Sequence, residues 1–279
     1  MTKKPNTTYT IGEITINRLG YGGMQLTGPG VWGDAPDRNN ALKVLKEAVN
    51  LGANFIDTAD SYGPHTNEVL IADALHPYSR SLLIATKGGF ERTGPNQWIV
   101  NGHPEYIRKA IDGSLKRLRT NHIDLWQLHR VDPKIPVDET LGPVHDAVKG
   151  GKIRYVGLSE VGINDIEKAE KTIPIMSVQN LYNLGERKWE EVVDYTQKRN
   201  MAFIPWYPLA SGSNKLKEKT ETIAKEYGAT PVQIALAWLL HRSPNILLIP
   251  GTSSIQHLKE NTQASTIKLS DNDFMALSS

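Results

Sequence analysis

"NFIDTADSYG" (Asn54–Gly63) begins as a buried strand and ends as something else. Phe55 and Ile56 suit a strand inside a core, but Asp57, Asp60 and Tyr62 follow directly. Alone, such a stretch is an ordinary polar turn. It decides the fold because the same pattern recurs. "LLIATK" runs apolar and stops at Lys87; "IDLWQLH" runs apolar and stops at His129. Between these runs lie "NEVLIADAL" and "HPEYIRKAIDGSLKRL", whose apolar residues repeat at helical spacing.

Working outward, the rhythm continues in both directions. "ITINRLGYGGM" is followed by a polar loop and then by "RNNALKVLKEAVNLG", with Ala41, Leu42, Leu45, Ala48 and Val49 on one helical stripe. Downstream, "IRYVGLS", "IMSVQN", "MAFIPW" and "ILLIPG" read as short buried strands. "VDETLGPVHDAVKGG", "INDIEKAEKT", "WEEVVDYTQKRN", "TPVQIALAWLLHR" and "SIQHLKEN" read as helices. Alternating strands and helices imply parallel βαβ units, and about eight of them close a (β/α)8 TIM barrel of the α/β class. "YTIGEITINRL" turns around Gly12 and Glu13 and predicts a short N-terminal β-hairpin. No linker-like stretch interrupts residues 1–279, which therefore read as one barrel domain. An open doubly wound sheet is the alternative, weakened because the first strand–helix junction lacks G-x-G-x-x-G with an acidic partner.

Composition narrows the function. The 279 residues carry 32 Lys and Arg against 30 Asp and Glu, a formal charge of +2 with no basic cluster, which argues against a nucleic-acid partner. There is no cysteine, so disulfides, thiolate metal sites and cysteine nucleophiles are excluded. No apolar run approaches the roughly 18 residues of a membrane span, and "MTKKPNTTYTIGE" has no apolar signal region. The expectation is a cytoplasmic protein with no membrane partner.

Barrel chemistry gathers at the C-terminal strand ends. Asp57, Lys87 and His129 end three successive strands, so they should converge on one rim with Tyr62 above them. A tyrosine titrates near 10, and a neighbouring ammonium favours its phenolate. Asp57 can hold Lys87 in place, and His129 can orient a carbonyl. Together they make a general-acid apparatus for a developing alkoxide. Singly, each has a commonplace role: a turn cap, a solvated charge, a satisfied polar residue, rim packing. Their joint placement favours function. No metal-ligand set is evident.

"FIDTADSYGPHTNE", "LLIATKGG", "DLWQLHR", "IRYVGLSE", "VQNLYN" and "IPGTSSIQHLKEN" resemble the successive signatures of the aldo-keto reductase family, in order and across nearly the whole chain. The resemblance implies a nicotinamide-dependent carbonyl reductase acting on a small-molecule aldehyde or ketone. Tyr62 would be the proton donor, Lys87 and Asp57 its tuning pair, and His129 the orienting residue. Ser159 and Gln179 would hold the nicotinamide carboxamide. Trp206 would stack on the ring where the family usually has tyrosine, and Gly22, Gly23 and Met24 would border it.

After the last strand, a helix start with Thr252, Ser253 and Ser254 suits a phosphate. Glu260 and Asn261 fit the family's adenine contacts. Three positions depart from the pattern. Glu160 replaces a carboxamide-gripping asparagine, and a carboxylate accepts but cannot donate. Gly251 stands in place of a lysine, and His257 in place of an arginine that commonly clamps the 2′-phosphate. NADPH is the expected cofactor, with NADH possible.

"LGYGGMQLTGPGVWG", "VGLSEV" and "ATPVQIALAWLLHRSPNILLIPGTSS" are most similar to bacterial pyridoxal-reductase-like members, which implies pyridoxal as a substrate. Trp32 and "GFERTGPNQW" could shape the pocket. The rival readings are a Schiff-base aldolase using Lys87 and a redox-sensing, NADPH-binding regulatory subunit.

Overall fold

A computed structural model describes residues 7–209 and 214–279. The leader reading of the first six residues therefore lies outside the described chain. The elements run β1 (Thr8–Ile11), β2 (Ile14–Asn17), β3 (Tyr21–Gly22), α1 (Arg38–Asn50), β4 (Phe55–Asp57), α2 (Thr66–Leu75), β5 (Leu83–Gly88), β6 (Phe90–Gly94), β7 (Gln97–Val100) and α3 (Pro104–Leu118). They continue with β8 (Ile123–Leu128), α4 (Val137–Lys149), β9 (Ile153–Ser159), α5 (Ile163–Glu170), β10 (Ser177–Gln179), α6 (Glu190–Lys198) and β11 (Ala202–Phe203). The last are α7 (Asn214–Glu226), α8 (Pro231–Arg242), α9 (Ile255–Gln263) and α10 (Asp271–Ser278).

Seven parallel strands form one sheet in the order β11-β10-β9-β8-β5-β4-β3. The expected eighth strand, "ILLIPG", forms only single bridges, but it makes them on both sides: Ile246 pairs with Phe203 and Leu248 with Leu19. The Leu247 N–H donates to Phe203 O at 2.8 Å, and the Leu248 N–H to Arg18 O at 2.7 Å. These residues join the two edges of the sheet and close the barrel.

The strand period of two sorts side chains between two layers. Phe55, Leu83, Ala85, Leu125, Ala202, Ile204 and Leu247 share one buried cluster, the barrel interior. Their neighbours in sequence, Ile56 and Ile84, or Trp126 and Phe203, pack outward in clusters with the helices. Helix α1 buries Ala41, Val44, Leu45 and Ala48; of the stripe read from its sequence, Leu42 and Val49 are only partly buried, and Val44 takes the inner place. The β1–β2 hairpin is antiparallel, as expected, and packs Ile11 and Ile16 into the interior cluster.

Three elements escaped the sequence reading. The segment after β5 is an antiparallel hairpin, β6–β7, and α7 and α10 were not singled out.

Candidate active site

The same alternation builds the site. Asp57 pairs in register with Ala85, so Lys87, two residues on, lies on the same face one pleat higher. Gln127 is the register partner of Lys87. The interior therefore changes from hydrocarbon to polar groups over one pleat, at the end of the barrel where β4, β5 and β8 finish.

Lys87 is fully buried; its Nζ donates to Asp57 Oδ1 at 2.6 Å and to Thr58 O at 2.8 Å. Asp57 Oδ2 accepts from Gln179 Nε2 at 2.9 Å and from Gln127 Nε2 at 3.2 Å. Both charges are thus paired and hydrogen-bonded, the condition for keeping ions in a core. Burial pushes the Lys87 ammonium toward losing its proton. The adjacent Asp57 carboxylate and Tyr62 outweigh that and raise its pKa. The group is a fixed cation.

Tyr62 is buried, with its ring centroid 5.1 Å from Lys87 Nζ. Burial raises its pKa, and Lys87 pulls the other way. The expected downward pull is present, but desolvation outweighs it, so the net direction is upward and the phenol keeps its proton. His129 is also buried. Burial, followed by the charges of Lys87, Arg130 and Arg92, holds its pKa well below the usual value, so the imidazole is neutral. Its Nδ1 lies 3.3 Å from Ser61 Oγ, and its ring meets Phe90 edge-on at 4.7 Å and Tyr62 at 6.0 Å.

A cavity of about 450 Å³ opens above these groups. Met24, Asp57, Tyr62, His129, Ser159, Gln179 and Trp206 all line it. Gly22 and Gly251 also line it, and each needs to be glycine. A Cβ at Gly22 would lie 2.6 Å from Ile249 O, and one at Gly251 would lie 2.9 Å from Gly22 O. Gly23 lies behind the wall, where Asn67 Nδ2 donates to its carbonyl at 2.9 Å.

The remaining expected residues lie along α9 and the loop before it. Thr252 is buried and Ser253 exposed; Ser254 caps α9 by accepting from the His257 N–H at 3.3 Å. His257 is exposed in the first turn. Glu260 accepts from Gln256, whereas Asn261 is buried and lines a second cavity between α8, α9 and the start of β3.

The stretch "GFERTGPNQW", expected from sequence to shape the pocket, does so, though its individual residues were not assigned roles. The β6–β7 hairpin supplies Phe90 and Trp98, with Trp98 6.5 Å from Tyr62 and 6.2 Å from His129. Arg92 lies 3.6 Å from the Trp98 ring centroid and donates to Ser61 O at 2.8 Å, Gly30 O at 2.9 Å and Val31 O at 3.0 Å. It ties the hairpin to the loop that carries Tyr62.

Glu160 also differs from expectation. It adopts a left-handed backbone with φ of 56°, a conformation that asparagine tolerates more readily. Its Oε1 accepts from Trp206 Nε1 at 2.7 Å and from the Leu181 N–H. The carboxylate is engaged within the protein and fixes the Trp206 ring.

Comparison with known proteins agrees with this geometry. The Aldo/keto reductase family model matches residues 18–279. An uncharacterized oxidoreductase of Schizosaccharomyces pombe is 47% identical, over 97% of this chain and 88% of its own length. Pyridoxine 4-dehydrogenase of Escherichia coli is 39% identical, over 95% and 94%. Among solved structures, the thermostable aldo-keto reductase Tm1743, bound to epalrestat, superposes with a TM-score of 0.87 at 32% identity, covering 97% of this chain and 98% of that one. An aldo/keto reductase from Klebsiella pneumoniae, in complex with NADP and acetate, gives 0.82 at 25% identity, covering 97% and 94%. With its family match, its closed barrel and a lysine–aspartate pair set against a buried tyrosine, the chain belongs to the aldo/keto reductase family.

Proposed function

We propose that the chain reduces a small aldehyde or ketone at the expense of NADPH, with Tyr62 as the proton donor. The observation that carries this reading is the Lys87–Asp57 pair, sealed beneath Tyr62 at the base of a cavity with neutral His129 beside it. The nicotinamide, when bound, supplies the hydride. Tyr62, kept protonated by burial, gives its proton to the carbonyl oxygen as negative charge develops there. The phenolate left behind sits against the Lys87 ammonium, a preorganised charge in a site of low dielectric. In the neutral His129 tautomer that accepts the Ser61 O–H at Nδ1, the Nε2–H can orient the carbonyl.

The cofactor wall fits this role. The Trp206 ring is held by Glu160, the Ser159 hydroxyl and Gln179 amide flank it, and glycines at 22 and 251 leave room for a flat ring. Gln179 also touches Asp57, so cofactor contact and the charge pair share one side chain. The start of α9, with Thr252, Ser253 and Ser254, suits phosphate oxygens, and His257 in its first turn can meet a 2′-phosphate. The NADP bound by the Klebsiella relative supports NADPH over NADH.

The finer reading is pyridoxal. A cavity walled by Phe90, Trp98, Tyr62 and Trp206 fits a flat heteroaromatic aldehyde, and the Escherichia coli relative is a pyridoxine dehydrogenase. A Schiff-base aldolase is disfavoured because Lys87 is a buried, paired cation, whereas an imine needs a neutral and accessible amine. Optical assay of NADPH and NADH oxidation with pyridoxal, benzaldehyde and aliphatic aldehydes tests the proposal. NADPH-dependent reduction, fastest with the aromatic aldehydes, is expected. Tight NADPH binding without turnover on any aldehyde would point instead to a regulatory subunit.

A further inference from the structure

Two charged side chains line the cavity among the described residues, Asp57 and Arg130. Asp57 is neutralised by Lys87. Arg130 has no such partner. Its Nη1 donates to His129 O at 2.6 Å and to Ser159 Oγ at 3.1 Å. Its Nε and Nη2 have no hydrogen-bond acceptor among the described residues, and no carboxylate lies within ion-pair distance.

Glu160 acts on Arg130 through its charge but is already engaged by Trp206 Nε1 and the Leu181 N–H. The guanidinium lies 5.5 Å from the Phe90 ring centroid and 6.0 Å from that of Trp206, between the catalytic groups and the cofactor wall. A partly buried arginine that lines a cavity and keeps donors without a protein acceptor is suited to receive an anion. Its planar fork matches a carboxylate or an ionised phenol, and the gain is largest where water is excluded.

We infer that Arg130 is a specificity-determining residue that selects carbonyl substrates carrying an oxyanion. It pairs with the oxyanion through Nε and Nη2 while Tyr62 and His129 hold the carbonyl. This rests on the carbonyl-reductase reading above and adds a substrate class to it. Pyridoxal falls in that class, because its ring hydroxyl beside the aldehyde is ionised at neutral pH. Arylaldehyde carboxylates fall in it as well.

The test uses 4-carboxybenzaldehyde and its methyl ester, which differ in charge but little in shape. Pyridoxal and its 3-O-methyl ether form a second pair that separates phenolate from carboxylate recognition. Wild type, Arg130→Met and Arg130→Lys are compared, with kcat and KM read separately. Wild type should prefer each anion over its neutral analogue by roughly tenfold or more in kcat/KM, mostly through KM, the scale of one charge-assisted hydrogen bond.

Arg130→Met should erase that preference, and Arg130→Lys should keep part of it. Equal losses on acid and ester would overturn the inference and leave Arg130 as a brace for His129 and Ser159. So would a wild type indifferent to charge in both pairs. Preference in one pair alone upholds the inference and narrows it to that oxyanion.

A second readout needs no turnover. 4-(Hydroxymethyl)benzoate is titrated against tryptophan fluorescence, since Trp98 and Trp206 line the cavity. Its Kd should weaken about tenfold in Arg130→Met, and an unchanged Kd would overturn the inference. If no aldehyde is reduced at all, the proposed activity fails, and this titration still decides the role of Arg130.

Discussion

Replacing Lys87 by methionine should be far more damaging than loss of an ordinary lysine. The side chain is fully buried, and its Nζ holds Asp57 Oδ1 at 2.6 Å and Thr58 O at 2.8 Å. Methionine fills similar volume, so packing changes little. What remains is a buried carboxylate with only the amides of Gln179 and Gln127 as donors. Removing one member of a buried pair costs about 3–5 kcal/mol, a large fraction of a total stability of roughly 5–15 kcal/mol. Asp57→Asn should cost a similar amount by stranding the ammonium. The double variant should not cost the sum of the two. An amide at 57 and a methionine at 87 leave no ion behind, so its loss should fall short of additivity by several kcal/mol. Urea unfolding of all four proteins, followed by tryptophan fluorescence at neutral pH, measures the cycle. Single-variant losses below about 1 kcal/mol, or strict additivity, would refute the claim that these charges depend on each other.

Other consequences are as direct. His129 is buried and neutral with a depressed pKa, whereas an unfolded histidine takes up a proton near 6.5. Its contribution is therefore intact above that pH and is lost as pH falls. His129→Gln should lessen the loss of stability between pH 6.5 and 5 by about 1–2 kcal/mol, and identical pH slopes for the two proteins would contradict the burial argument. Arg92→Ala leaves the carbonyls of Gly30, Val31 and Ser61 without this donor and Trp98 without its cation. KM for an aromatic aldehyde should rise by roughly tenfold while the NADPH Kd holds, and an unchanged KM would show that the hairpin stays in place without it. His257→Arg should tighten NADPH by about 1–2 kcal/mol and leave NADH unaltered. An unchanged NADPH constant would mean that this position does not meet the 2′-phosphate.

The convergence of the candidate cluster was legible because Asp57, Lys87 and His129 each end an apolar strand run, and consecutive barrel strands are neighbours. Asp57, Lys87 and His129 needed no knowledge of loops. Tyr62 was legible from its proximity to Asp57. What sequence could not give was the force balance on Tyr62. Lys87 was visible as its neighbour, but the desolvation that outweighs it comes from packing of distant segments. Glu160 looked like a weakened cofactor contact. Its partners, the Leu181 N–H and Trp206 Nε1, lie just past the ends of β10 and β11, so its actual role was invisible locally. Arg92 fell within the stretch expected to shape the pocket, and Arg130 was not singled out; only the closed fold makes one a brace and places the other at the cavity. The eighth strand was placed correctly in sequence, although its pairing is reduced to bridges, Ile246 to one edge of the sheet and Leu248 to the other.

In the proposed reaction Tyr62 supplies the proton and does not hold the cofactor. The most direct test is Tyr62→Phe, assayed for kcat with an aromatic aldehyde and, separately, for NADPH binding by equilibrium titration. The ring and its packing against Trp98 and His129 are retained, and only the hydroxyl is removed. The kcat should fall at least about 10²-fold, the low end for a positioned general acid, with the NADPH Kd unchanged. A kcat near that of wild type would contradict it.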